Sequence, residues 1–151
     1  MQLTMFSDLS LRTLMYLTYQ DRSSPVTITE LATRFMVSRN HLVKIVHFMS
    51  QKEWIVTTQG KGGGVRLSRS ADQYNLGQLL RQLEGNDSWV SCQTPPCVLL
   101  AGDCRLKQVL KEAQSVFFEV LDQYSLADLV AGNTGISIAK LHHGSKGMLE
   151  G

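Results

Sequence analysis

The sequence predicts a mainly α-helical chain with one small β-hairpin, and three patterns carry that expectation. "VTITELATRFM" and "SRNHLVKIVHFMSQK" are amphipathic stretches that meet across a tight turn. "WIVTTQ" and "VRLS" are runs rich in β-branched residues on either side of "GKGGG", a hairpin pattern whose glycines can take left-handed turn conformations. From Asp103 onward, apolar residues return every three or four positions as far as Tyr124. Two helices joined by a tight turn and followed by a hairpin are ordered as a winged helix-turn-helix, here extended by a long helix.

In the first element, Ser7 is placed to cap a helix with Asp8 in its first turn, and Leu11, Leu14, Met15 and Thr18 follow at helical spacing. "DRSSP" ends it. Thr27 and Glu30 have the spacing of a capping box for a second helix that offers Ile28, Leu31 and Phe35 for burial. Ser38 caps the third, with Leu42, Ile45, Val46 and Met49 on one face. After the hairpin, a further helix is expected through "NLGQLLRQLEG". A segment with Pro95 and Pro96, which forbid regular helix, comes next.

The long helix then presents Leu106, Val109, Leu110, Ala113, Val116, Phe117, Val120, Leu121 and Tyr124 on one side. Arg105, Lys107, Lys111, Glu112, Glu119 and Asp122 lie on the other. That stripe exceeds what one small winged domain needs, so part of it is expected to pack against a second subunit in a homodimer. Ser125 and Asp128 suggest a capping box for a short last helix, "LADLVAG". The tail after Asn133, with adjacent His142 and His143, is expected to be mobile. The expected division is therefore 1–85 for the winged domain, 86–104 for the cysteine loop, 105–132 for the dimerisation helix with the short helix, and 133–151 for the tail.

Composition bounds the function. At 151 residues, 43% hydrophobic and 19% charged, the chain is globular rather than disordered, and two independent domains would be cramped. A net charge of +2 is too mild to argue for nucleic acid by itself, so the distribution of charge must decide. "MQLTMFSDLSLRTLMYLTYQ" lacks a basic leader region and contains Asp8 and Arg12, so it does not read as a signal peptide. No segment is long and apolar enough to span a membrane. A cytoplasmic location is expected, where structural disulfides are rare, and three cysteines leave one thiol over in any intramolecular pairing.

The charge is concentrated on the third helix and the hairpin. Arg39, Asn40, His41 and Lys44 lie near the start of that helix, just after Ser38, while Lys61 sits at the hairpin turn with Arg66 and Arg69 close behind. Only Glu53 opposes them between Ser38 and Arg69. A helix N-terminus offers N–H groups to phosphate, and Arg and Asn can pair with purine edges in the major groove of double-stranded DNA. A solvated helix beside a protein-binding hairpin would carry similar charges, but a wing following the second helix favours DNA. "QGKGGG" is not a nucleotide-binding loop, because Ile55 stands where the upstream glycine is required and Gly62 replaces the hydroxyl residue after the lysine. No acid, base and nucleophile converge on an enzyme site.

All three cysteines, Cys92, Cys97 and Cys104, fall in "VSCQTPPCVLLAGDCRLKQVLKEA". Thiolates are soft ligands for iron-sulfur clusters and for zinc, and an irregular loop can wrap a cluster where a helix cannot. Incidental burial gives no reason for their concentration beside two prolines. Structural zinc favours four closed ligands at shorter spacing, and no histidine lies nearby. No histidine can be assigned as the base for a catalytic thiol either.

Taken together, "MQLTMFSDLSLRTLMYL", "VSRNHLVKIV", "GKGGGVRLS", "DCRLKQVLKEA" and "YSLADLV" resemble the bacterial iron-sulfur transcription repressors that include NsrR and IscR. The likeness runs through nearly the whole chain to about Val130, with several motifs agreeing in order and spacing. Within that group it is to the NsrR type, the nitric-oxide sensors. The IscR branch has a histidine three residues beyond the last cysteine, a position that is Lys107 here.

The resemblance implies a homodimeric repressor that reads a roughly palindromic operator, with nitric oxide as effector. It implies a 4Fe-4S cluster held by Cys92, Cys97 and Cys104, with Asp8 of the partner subunit as fourth ligand. Asp8 would change partner from iron to Arg12, four residues on, when the cluster is lost. At the wing, an arginine commonly precedes the glycines, whereas Gln59 stands here, and Lys61 would take part of that role. A 2Fe-2S regulator of iron or redox state and a zinc- or thiol-based winged regulator are the alternatives.

Overall fold

The computed structural model describes residues 2–85, 88–99 and 103–144. Helix α1, Met5–Leu17, begins earlier than the Ser7 cap expected from sequence: the cap is Thr4, whose Oγ1 accepts the Ser7 N–H at 3.1 Å. The reason is tertiary. Glu84, far along the chain, accepts both the Thr4 N–H at 2.8 Å and its hydroxyl at 2.9 Å, fixing Thr4 as the first capping oxygen. Ser7 is instead fully buried on an inward face with Ser10, Thr13 and Leu14. Ser10 Oγ and Thr13 Oγ1 find no hydrogen-bond partner among the described residues.

Helices α2, Ile28–Phe35, and α3, Arg39–Gln51, form the expected pair. Thr27 Oγ1 accepts the Glu30 N–H at 3.0 Å and Ser38 Oγ the His41 N–H at 3.4 Å, so both predicted N-caps are present. The reciprocal half of the first capping box is replaced, because the Glu30 carboxylate turns to Arg22 and Tyr16. Between the helices Met36 adopts the left-handed conformation (φ 53°, ψ 44°), and Val37 N–H bonds to Ala32 O at 3.1 Å. This closes the last turn of α2 and starts α3 within two residues.

Strands β1, Ile55–Thr58, and β2, Gly64–Leu67, pair antiparallel from Ile55↔Leu67 to Thr58↔Gly64. Gly60 and Gly62 carry the positive φ values of the turn, 89° and 79°. Gly64 fits closely for a different reason: a Cβ there would press on the backbone of Val26, which bridges to Val65 and seats the hairpin on the domain. A 3-10 turn, Ala71–Gln73, leads to Tyr74, whose hydroxyl donates to Trp54 O at 2.6 Å and accepts Ser68 N–H at 3.1 Å. The buried core joins Leu9, Leu14 and Leu17 of α1 with Leu31, with Leu42, Ile45, Val46 and Met49 of α3, and with Trp54, Val65, Tyr74 and Leu79.

Helix α4, Leu76–Glu84, lies against the long helix α5, Arg105–Leu121. Arg81 grips Asp122 at 2.6 and 2.7 Å and lies 4.4 Å over the Phe118 ring. Gly77 makes room, since a Cβ there would collide with the Asp122 carboxylate. Leu76 N–H to Tyr124 O and Leu126 N–H to Tyr74 O, both 2.9 Å, fasten the returning chain to the winged domain. Helix α6, Leu126–Leu129, has the full Ser125–Asp128 capping box.

The expected mobile tail is corrected for Asn133–His143, which form helix α7. Its local periodicity is weak, and its anchor is remote: His142 stacks on Tyr16 at 3.9 Å and on Tyr19 at 4.6 Å. The part of that tail from 145 to 151 lies outside the described residues. Among the described residues no helix is long and apolar enough to cross a membrane.

Candidate nucleic-acid interface and cysteine loop

The N-terminal end of α3 is presented outward. Ser38 caps it, and Arg39, Asn40, His41 and Lys44 are all exposed while Leu42 and Ile45 anchor the opposite side. This division follows from helical spacing: one face enters the core, so the other is left for a partner. On the hairpin, Gln59 and Lys61 are exposed around the turn and Arg66 is exposed on β2. Arg69 is spent differently, lying 4.5 Å over the Tyr74 ring. A helix start with a nearby projecting turn, both cationic, can meet phosphates on either side of a groove while Arg39 and Asn40 reach base edges.

The cysteines occupy the connection between α4 and α5. Cys92 and Cys104 are half-buried, Cys97 is exposed, and all three thiols are free. Cys97 N–H bonds to Cys92 O at 3.0 Å, forming a turn, and Cys104 is the N-cap residue of α5 without a side-chain cap. In type and access the donors suit an iron-sulfur cluster or zinc, since all are soft sulfur and none is sealed in the core. Within one chain the structure does not gather them: among the described residues, no three Cys, His, Asp or Glu side chains converge to hold a metal. Asp8 is on the first turn of α1 and is paired with Arg12, Nε to Oδ1 at 2.9 Å and the second contact at 2.8 Å.

A polar cluster behind the winged domain escaped sequence reasoning. Arg22 grips both oxygens of Glu30 at 2.8 Å, and Tyr16 OH donates to the same carboxylate at 2.6 Å. Burial raises Glu30, but the Arg22 and Tyr16 hydrogen bonds outweigh it and hold the carboxyl low. Burial and the Glu30 hydrogen bond push Tyr16 up to about 12. His142 completes the cluster: Tyr16 O can only accept, so Nε2 donates to it at 2.9 Å, and Nδ1 accepts from Arg22 at 2.7 Å. No local signal could have found a contact between residues so far apart in sequence.

A winged helix-turn-helix with a cationic reading face is the architecture of a DNA-binding transcriptional regulator. The Rrf2 family, described as iron-dependent transcriptional regulators, matches residues 3–132, and the chain belongs to that family. Within it the resemblance is to the NsrR type: the HTH-type transcriptional regulator NsrR of Shouchella clausii is 38% identical over 133 residues, spanning 86% of this chain and 89% of that protein. Among solved structures, CymR of B. subtilis, the global cysteine regulator, superimposes with a TM-score of 0.69 at 22% identity, covering 85% of this chain and 95% of that one. IscR of T. potens does so with 0.69 at 21% identity, covering 86% of each. These structures support the winged fold, and the family makes the chain a regulator rather than an enzyme.

Proposed function

We propose that this regulator is a cytoplasmic homodimeric repressor that senses nitric oxide through a 4Fe-4S cluster and controls nitrosative-stress genes. The observation that carries the reading is the confinement of every cysteine, all free thiols, to the one loop that links the winged domain to the long helix. The likeness to NsrR supports the choice of effector.

Cys92, Cys97 and Cys104 would hold the cluster, with Asp8 of the partner subunit as the fourth ligand. When bound, such a cluster would supply iron open to attack by nitric oxide, and Asp8, a single hard carboxylate among soft thiolates, would be the ligand most readily displaced. The chain does the rest. With the cluster held, the cysteine loop of one protomer and α1 of the other would be tied, which would set the spacing of two α3 helices for a roughly palindromic operator of double-stranded DNA. In the released state Asp8 takes the Arg12 partner seen here. The α3 start, with Ser38, Arg39, Asn40, His41 and Lys44, reads the major groove, and Gln59, Lys61 and Arg66 of the wing lie on the backbone. Repression then follows from a coupling of about 1–3 kcal/mol between the tied state and operator binding.

A second reading, a zinc- or thiol-based regulator, draws on the same three free thiols, which could bind zinc or react without iron. A 2Fe-2S redox regulator is separated by its spectrum. The deciding experiment is anaerobic purification with iron, zinc and sulfide analysis, and an absorption spectrum before and after nitric oxide. Iron and sulfide at one 4Fe-4S cluster per subunit, with the charge-transfer band lost on addition, are expected. Colourless protein with zinc or no metal, or a Cys97→Ala variant that still represses and still responds to nitric oxide, would overturn the reading.

A further inference from the structure

The turn between α2 and α3 carries a residue that the local geometry does not favour. Met36 closes α2 in the left-handed region, where a side chain is strained and glycine or asparagine is the usual solution. It is also 91% exposed, although the residues around it pack well: Phe35 and Val37 lie against the core. Strain and apolar exposure fall together on one side chain, and the fold gains no burial from it.

Its position suggests what does. Met36 lies two residues before the Ser38 cap and three before Arg39, so it sits within about 11 Å of the Arg39 Cα at full chain extension. On α3 itself a second apolar side chain is left outside, Val43 at 38% exposure, one turn beyond Asn40 and beside Lys44. Charged groups alone serve phosphate. Apolar groups beside them meet the remaining chemistry of a major groove, the thymine C5-methyl and the apolar faces of deoxyribose.

Resting on the DNA-binding face argued above, we propose that Met36 is a specificity-determining residue that packs on an apolar patch of the operator at the groove edge, with Val43 extending the contact inward. Strain at the turn is then offset in the DNA complex rather than in the free protein. Methionine suits the task because an unbranched thioether adapts to a shallow apolar surface.

The test uses the full-length protein, purified anaerobically, and a duplex selected by that protein from a randomised library. Met36→Gly and Met36→Asn relax the backbone, so neither should lower the thermal midpoint, yet both should weaken binding to the selected duplex by about tenfold. Binding to a scrambled duplex should change little. Replacing thymine by uracil throughout the duplex separates the sources. If the methyl is read, uracil weakens the parent protein and not Met36→Gly; if uracil leaves the parent unchanged and Met36→Gly binds the scrambled duplex weakly as well, the contact is to deoxyribose and Met36 does not determine specificity. Parent-like affinity in both variants, with Arg39→Ala impaired, would overturn the role of Met36 alone. If Arg39→Ala also binds like the parent, the reading face itself is wrong and Met36 falls with it.

Discussion

The winged domain keeps most of its apolar residues inside, whereas the long helix behind it leaves most of its own outside. Leu14, Leu31, Leu42 and Met49 are fully buried in the first region. In α5 only Phe118 is buried, while Leu106 is 60%, Val116 53% and Val120 48% exposed. Both regions show the same helical periodicity in sequence, so periodicity reports that a face will be covered without saying by what. The winged domain covers its faces with itself. For α5 the proposed cover is a second copy of the chain.

The sharpest way to break that contrast is to damage each side separately. Leu42→Ala should open a cavity at a site with no exposure and cost about 3 kcal/mol, lowering Tm by roughly 9 °C. Calorimetry checks it, and a loss below about 1 kcal/mol would mean that the winged core is looser than it looks. On the other side, Val109→Glu combined with Val116→Glu should leave the helical circular dichroism of the domain in place but turn dimers into monomers in sedimentation. Persistent dimers would move the subunit contact off this stripe.

A smaller effect is expected where the two regions join. Gly77→Ala pushes a methyl at the Asp122 carboxylate and so disturbs the Arg81 grip and its stacking on Phe118. We expect a cost of about 1–2 kcal/mol in thermal unfolding. In an Asp122→Ala background the same change should cost much less, because the two substitutions act on one contact. Equal costs in both backgrounds would show that Gly77 is needed for α4 itself.

Much of this was legible in the sequence where chemistry is local. Thr27, Ser38 and the Ser125–Asp128 pair stand where their spacing puts them, and the glycines between β1 and β2 mark the turn. The Asp8–Arg12 pair follows from four-residue spacing on α1. What escaped depends on distant partners. Thr4 displaces Ser7 as cap because Glu84 holds it, and Ser10 and Thr13 are buried although their type suggests a wet face. The candidate reading face could be assembled from α3 and the hairpin that follows it, each local in sequence, whereas three cysteines on one irregular loop announce a shared site without fixing how their sulfur atoms meet.

Helix α7 crosses the contrast, since it leaves Ile136 and Leu141 outside yet is held to α1 through a histidine. Its docking should therefore depend weakly on pH. Burial lowers the His142 pKa, the Tyr16 carbonyl opposes this, and the Arg22 charge adds to the lowering. Around the ring stand Tyr16, Tyr19, Arg22, Glu30, Arg34 and His143; the Tyr16 carbonyl and the Glu30 carboxylate favour a proton on it, and burial with the Arg22 and Arg34 charges outweighs them. The folded state thus binds this proton less readily than the unfolded chain, whose histidine titrates near about 6.5. The stabilisation is complete above that value and is lost as pH falls through the lower folded pKa. In His142→Gln that component is missing, so the advantage of the parent protein in Tm should be present above the unfolded value and shrink as pH falls below it. The His142 ring resonance followed by NMR should titrate below the unperturbed range. If parent and variant instead lose stability in parallel, the pH dependence lies elsewhere and the stacking on Tyr16 and Tyr19 holds α7 regardless of charge.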